Sequence, residues 1–190
     1  MANIILHLPV DIWQRMQYYI TACAPREVTG VGTITQIGPT ELRVTEIFLP
    51  EQRSNSCYCE CNDNALNGII FDLVEDNPAR AGDLRFRWHS HANGKCFWSN
   101  TDQNDINSWE ADWVVNLVAN IRGDTLVRLD LFKPFRVENL PVELRFEFPE
   151  NDELLTKCFV EAQKKVQILP EPSIPLSPTK KGGGVREVIF

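Results

Sequence analysis

The sequence predicts one α/β or α+β sheet domain followed by a mobile C-terminal extension. Three observations predict it. Stretches in which apolar and polar residues alternate are interleaved with stretches whose apolar residues recur every three or four positions. The chain has 190 residues, 43% of them hydrophobic, which suits one packed core with appendages. Beyond residue 168 the composition turns to proline and glycine. The net charge of −7 argues against a nucleic-acid binder, which usually presents a basic face. No apolar run approaches the roughly 20 residues needed to cross a membrane. Met1-Ala2-Asn3-Ile4 lacks the basic and apolar regions of a signal peptide, so a cytoplasmic protein is expected. Its six cysteines then read as thiols or ligands rather than disulfides.

Asn3 to His7 reads as a first strand, and Pro9 opens a helix in the favoured early position. Ile12, Trp13, Met16, Ile20 and Cys23 give that helix its core face. His7 reads as structural or solvent-facing, since nothing nearby in sequence pairs with it. Pro25-Arg26 ends the helix. Thr33 to Thr35 and Leu42 to Phe48 form a hairpin about Gly38-Pro39. Cys57, Cys59 and Cys61 follow in a polar stretch. On an extended strand the outer two stand about 13 Å apart, too far for one metal. The plain reading is three small side chains on one strand face; a curled loop would be needed for a second metal site.

Asn62 or Asp63 caps the next helix, whose stripe is Ala65, Leu66, Ile69, Ile70, Leu73 and Val74. Asn77-Pro78 ends it. A strand follows with Leu84, Phe86 and Trp88 facing the core and Arg85, Arg87, His89 and His91 facing the other way. Ser99 with Asp102 three residues on is a helix-start signature, continued by Asp105, Ile106, Trp109 and Glu110. Residues 113–119, 126–132 and 142–148 read as strands, and residues 152–167 as an amphipathic helix. Four prolines stiffen residues 169–178, the triglycine loosens residues 182–184, and the apolar Val185 to Phe190 could dock on a sheet edge or hang free.

The chemistry concentrates between residues 89 and 102. Two of the three histidines lie one residue apart on a strand, so both imidazoles reach one point. A carboxylate eleven residues later can close a set of two histidines, one acid and an open position, which is a catalytic zinc arrangement. The ladder His89-x-His91, seven residues, Ser99, two residues, Asp102 resembles the signature of the JAMM (MPN+) metalloprotease family. Glu27-x-x-Gly30 resembles that family's upstream glutamate motif in type and order. The resemblance covers roughly residues 1–150, which it implies form the catalytic domain, with a helix packed on it at 151–168 and a tail at 169–190.

The resemblance implies an MPN (cytidine deaminase-like) fold, a central mixed sheet flanked by helices. It implies that His89, His91 and Asp102 hold Zn²⁺, that Glu27 is the general base and that Ser99 steadies the oxyanion. The implied reaction is cleavage after the C-terminal glycine of a ubiquitin-like protein, by deconjugation or precursor maturation. The implied partners are that protein and its conjugates. The chain most resembles the compact prokaryotic members, which include those encoded beside the activating and conjugating enzymes of Bil-type antiphage systems, and such enzymes are then further implied partners. Two other readings stay open: the same site acting on a sulfur-carrier protein or a small amide, and a non-catalytic MPN scaffold, which usually lacks these ligands. Many members carry proline after the second histidine, where this chain has Ala92. Cys96 would need a base to act as a nucleophile, and the histidines are better placed as ligands, so it is expected to line the pocket. Trp98 reads as core or as substrate platform.

Overall fold

The computed structural model describes residues 3–109 and 111–149. The expected helix at 152–167 and the proline- and glycine-rich tail lie outside the described residues. Strand β1 (Ile4–Pro9) runs into helix α1 (Val10–Cys23), with Pro9 at the junction as its fixed φ favours. The hairpin β2 (Thr29–Gly38) and β3 (Glu41–Phe48) follows, then the short β4 (Gln52–Ser54) and β5 (Cys59–Cys61). Helix α2 (Asp63–Asp76) is capped by Asn62, whose side chain accepts from the N–H groups of Asn64 and Ala65. A 3-10 segment (Pro78–Asp83) leads to β6 (Phe86–Ser90). Helix α3 (Asn100–Asn107), β7 (Trp113–Ala119), β8 (Thr125–Leu131) and β9 (Val137–Glu147) complete the described chain. Helix α3 ends two residues short of Trp109, and β9 starts five residues before Val142.

The sheet corrects the expected architecture. Seven strands close into a barrel in the order β1-β3-β2-β6-β7-β8-β9, and β9 returns to pair with β1. The MPN arrangement of a central mixed sheet flanked by helices is therefore not the architecture. The pairing is mixed, with β1–β3, β1–β9 and β6–β7 parallel and the rest antiparallel. Closure comes from β1, which finds parallel partners on both sides. Ile4 to Pro9 pair with Val142 to Glu147 across more than 130 positions of sequence. Nothing in the local periodicity of either strand specifies so distant a partner.

One main core holds Leu6, Leu8, Phe86, Trp88, Val115 and Leu117 with Ile12, Met16 and Ile20 of α1. Each such large apolar side chain contributes about 1.5–3 kcal/mol by leaving water. A second, smaller cluster joins Val31, Leu73 and Leu84 beneath α2. Strand β6 lies between β2 and β7, with Phe86, Trp88 and Ser90 buried and Arg87 and His89 half-exposed on the opposite side. That alternation is the one expected from the sequence, and it delivers the histidines to the outer face.

Candidate metal centre

His89 and His91 project from the end of β6 with their Nε2 atoms 3.2 Å apart. Asp102, in the first turn of α3, brings its Oδ1 to 3.3 Å from His89 Nε2 and its Oδ2 to 3.7 Å from His91 Nε2. Ligand atoms at zinc bond lengths around a tetrahedral ion stand about 3.4 Å from one another. The three donors thus form a triangle the size of one tetrahedral face. Among the described residues this is the group of three His, Cys, Asp or Glu side chains whose ligand atoms converge within 4.8 Å.

The local sequence explains why each ligand stands where it does. His91 Nδ1 lies 2.9 Å from the Lys95 carbonyl, a contact in which the ring nitrogen donates. Nε2 is left with its lone pair toward the other donors. Asp102 belongs to a capping box: its N–H donates to Ser99 Oγ at 3.1 Å, and its Oδ2 accepts from Ser99 N–H at 2.7 Å. Cap and ligand are therefore one device. One carboxylate oxygen orients the side chain while the other faces His89. Ser99 Oγ accepts from the helix, so its own hydrogen remains for a second partner.

Glu27 lies just before β2. The register Thr29↔His89 and Gly30↔Trp88 carries on to place Glu27 across from His91. Its N–H donates to the Asn55 carbonyl at 2.8 Å. Between the histidines, the fully buried Ser90 accepts from Val28 N–H at 3.0 Å, while Ser90 N–H donates to the Val28 carbonyl at 2.8 Å. The sequence reading passed over Ser90; its position between two ligands was the available signal. Gly30 is required by contact: a Cβ there would lie 2.5 Å from Trp88 Nε1 and 2.6 Å from the Phe48 carbonyl.

Burial pushes the Glu27 carboxyl up, with His91 pulling it down and Asp102 adding to the rise. Burial also opposes ionisation of Asp102, but the hydrogen bonds with His89 and His91 win and hold it well below the usual carboxylate range. His91 is raised, chiefly by Asp102 and against burial, with help from the Lys95 carbonyl.

Two clasps brace the site from behind, and the sequence reading missed both. Arg128 is buried, pairs with Asp130 at 2.8 Å and reaches Gln103 Oε1 at 2.9 Å. Its guanidinium also stacks on the Trp98 ring, 5.0 Å from the centroid. It thereby ties β8 to the residues flanking Ser99 and Asp102. Asn120, fully buried, donates to the Gly94 carbonyl at 2.9 Å and accepts from the N–H groups of Arg122 and Asp124. That locks the β7–β8 turn onto the loop after His91. Ala92 adopts φ 40°, a left-handed conformation closed to proline, so the loop could not take the proline common in JAMM proteins.

The three donors sit in a cleft of about 720 Å³ that Glu27, Ser99 and Trp98 also line. Cys57, Cys59 and Cys61 line the same cleft, and Cys59 and Cys61 form β5. Burial raises the thiols of both Cys59 and Cys61, which suits packed thiols better than thiolate ligands. Cys96 does not line the cleft as expected. Its Sγ donates to the Asp124 carbonyl at 3.2 Å, and burial pushes the thiol up to about 11. His7 lies away from the site and is held by Glu41 at 2.9 Å and Glu147 at 3.2 Å, partners that the sequence reading did not find.

No family model matches the chain, and no curated protein matches it. Among solved structures it is similar to the solution structure of protein DSY2949 from Desulfitobacterium hafniense, at 14% identity and a TM-score of 0.50. The match covers 76% of this chain and 95% of that one. At that identity the likeness concerns the fold alone.

Proposed function

We propose that this chain is a zinc-dependent peptidase or isopeptidase of the JAMM type, acting on the glycine-ended tail of a ubiquitin-like protein or its conjugates. One observation carries the reading: two imidazole nitrogens and a carboxylate meet at the spacing of a tetrahedral zinc face, in a cleft shared with a glutamate. His89, His91 and Asp102 would hold the ion, and three protein ligands leave an open position, as in catalytic sites. Zinc there would supply Lewis acidity, bringing the pKa of a water toward about 7 and polarising the scissile carbonyl.

The remaining work belongs to the chain. Glu27 takes a proton from the attacking water and passes it to the leaving amine; its raised proton affinity suits both halves of that transfer. Ser99 keeps its O–H free of the capping bond and donates to the developing oxyanion. The choice of a glycine-ended substrate rests on the resemblance of the His-x-His, Ser, Asp ladder to that family. A bare glycine tail also suits passage along the aromatic wall that Phe97 and Trp98 give the cleft.

The test is cleavage of a ubiquitin-like fusion by the full chain. Chelation should abolish it and added zinc restore it. Glu27→Gln should keep bound zinc while kcat falls by about 10²-fold or more, the usual contribution of a positioned general base. A Glu27→Gln protein that cleaves at the wild-type rate would overturn the mechanism.

A further inference from the structure

Arg87 sits on β6 two residues before His89, and strand alternation places both on the same side. Its side chain lines the cleft and is the one arginine or lysine among the described residues that do. The guanidinium lies 4.9 Å from the centre of the Trp109 ring. One of its nitrogens donates to the Asp105 main-chain carbonyl at 2.9 Å. Among the described residues no carboxylate stands within ion-pair distance of it, and Asp105 attracts it only from further off. Among the described residues, its other N–H donors meet no hydrogen-bond acceptor.

A half-exposed guanidinium that lines a cleft with no carboxylate beside it offers its open N–H donors to an incoming anion. The other charged groups facing this cleft are acids: Glu27, Glu60, Asp63, Asp102 and Asp105. Away from the metal centre they repel an incoming carboxylate, so along that part of the cleft Arg87 is the favourable spot and serves as a register mark. The stacked, half-buried fork matches a carboxylate in two-point geometry, which an ammonium cannot do.

We propose that Arg87 anchors a carboxylate of the substrate about two residue lengths from the bond that is cut. This rests on the hydrolase reading above. The distance follows from the strand: Arg87 and His89 are separated by roughly 6.6 Å along β6, and an extended substrate advances about as far in two residues. The carboxylate is either an Asp or Glu side chain or the free end of a short leaving peptide, and both present the same group to the fork.

The test uses acetylated hexapeptides with a central Gly-Gly, bound to the zinc-free full chain and read by fluorescence polarisation. One set carries glutamate two residues to either side of the Gly-Gly, with an amidated end. The second carries glutamine there, and the third carries glutamine with a free C-terminus. At least one carboxylate peptide should bind tenfold or more tightly than its neutral counterpart, and the arm that does so identifies the source. Arg87→Gln should bring that ratio to near one, and Arg87→Lys should restore only part of it. Equal binding, undetectable binding of every peptide, or a preference that survives in Arg87→Gln overturns the proposal. If the preference holds while the zinc-loaded protein cleaves neither these peptides nor a ubiquitin-like fusion, the hydrolase reading fails and the subsite stands.

Discussion

Ser90 is fully buried between two histidines, and its hydroxyl accepts from the N–H of Val28. Ser90→Ala leaves that buried donor without a partner, which costs about 1–3 kcal/mol. Because Val28 follows Glu27, the same change loosens the proton carrier, so kcat should fall while zinc stays bound. Denaturation and zinc analysis on the one variant check both. The ligand pair also predicts a pH response. Asp102 titrates lower in the folded chain than the ordinary 3.9 or so, so its contribution is present above about pH 4 and fades on acidification. His91 titrates higher when folded, so its contribution is full below about pH 6.5 and is lost as pH rises past its raised value. Zinc needs His91 without its proton, so the metal gains as the metal-free pair weakens. The zinc-induced rise in Tm should be larger at pH 7.5 than at pH 5.5; an equal rise at both would remove His91 from the ligand set. At this scale much was legible. His89, His91 and Asp102 could be named because their spacing is short and histidine is rare here, and Ser99 and Glu27 because their settings resemble the JAMM signature. Ser90 and Arg128 could not, because their partners lie across the fold.

Strand β2 passes so close to Trp88 that Gly30 has no room for a side chain. Gly30→Ala must move the indole or the Phe48 backbone, and overpacking of this kind costs about 1–3 kcal/mol. The loss should appear as a lower Tm, together with weaker zinc binding, since β6 carries both the tryptophan and the histidines. The capped start of α3 and the alternation of β6 were readable because both are local patterns. The clasp of Asn120 on Gly94 was not, since it joins a turn to a loop 26 positions away. Cys96 was misplaced for the same reason: its neighbour is Asp124, 28 positions on.

His7 marks where the molecule closes on itself, reaching Glu41 of β3 on one side and Glu147 of β9 on the other. Arg43 joins the same seam through Glu147 at 2.8 Å. His7→Gln should lower stability by about 1 kcal/mol, a fall in Tm of about 2–4 °C, without loss of zinc. A matching loss of zinc would mean the seam and the site are coupled. The alternation in residues 142–148 announced a half-buried strand, yet gave no sign that its partner would be the first strand of the chain. Open sheet and closed barrel share the same local patterns and differ only in that long-range pairing. The closure has a consequence for how another chain can meet this one. Each barrel strand has a neighbour on both sides, although β2 meets β6 only from Thr29 to Gly32 and β3 meets β1 only from Glu41 to Arg43. Among the described strands, β4 and β5 pair only with each other and keep an unshared side. Residues Cys59 to Cys61 of that ribbon border the cleft. An incoming extended chain would thus find an open ribbon edge beside the candidate metal centre itself.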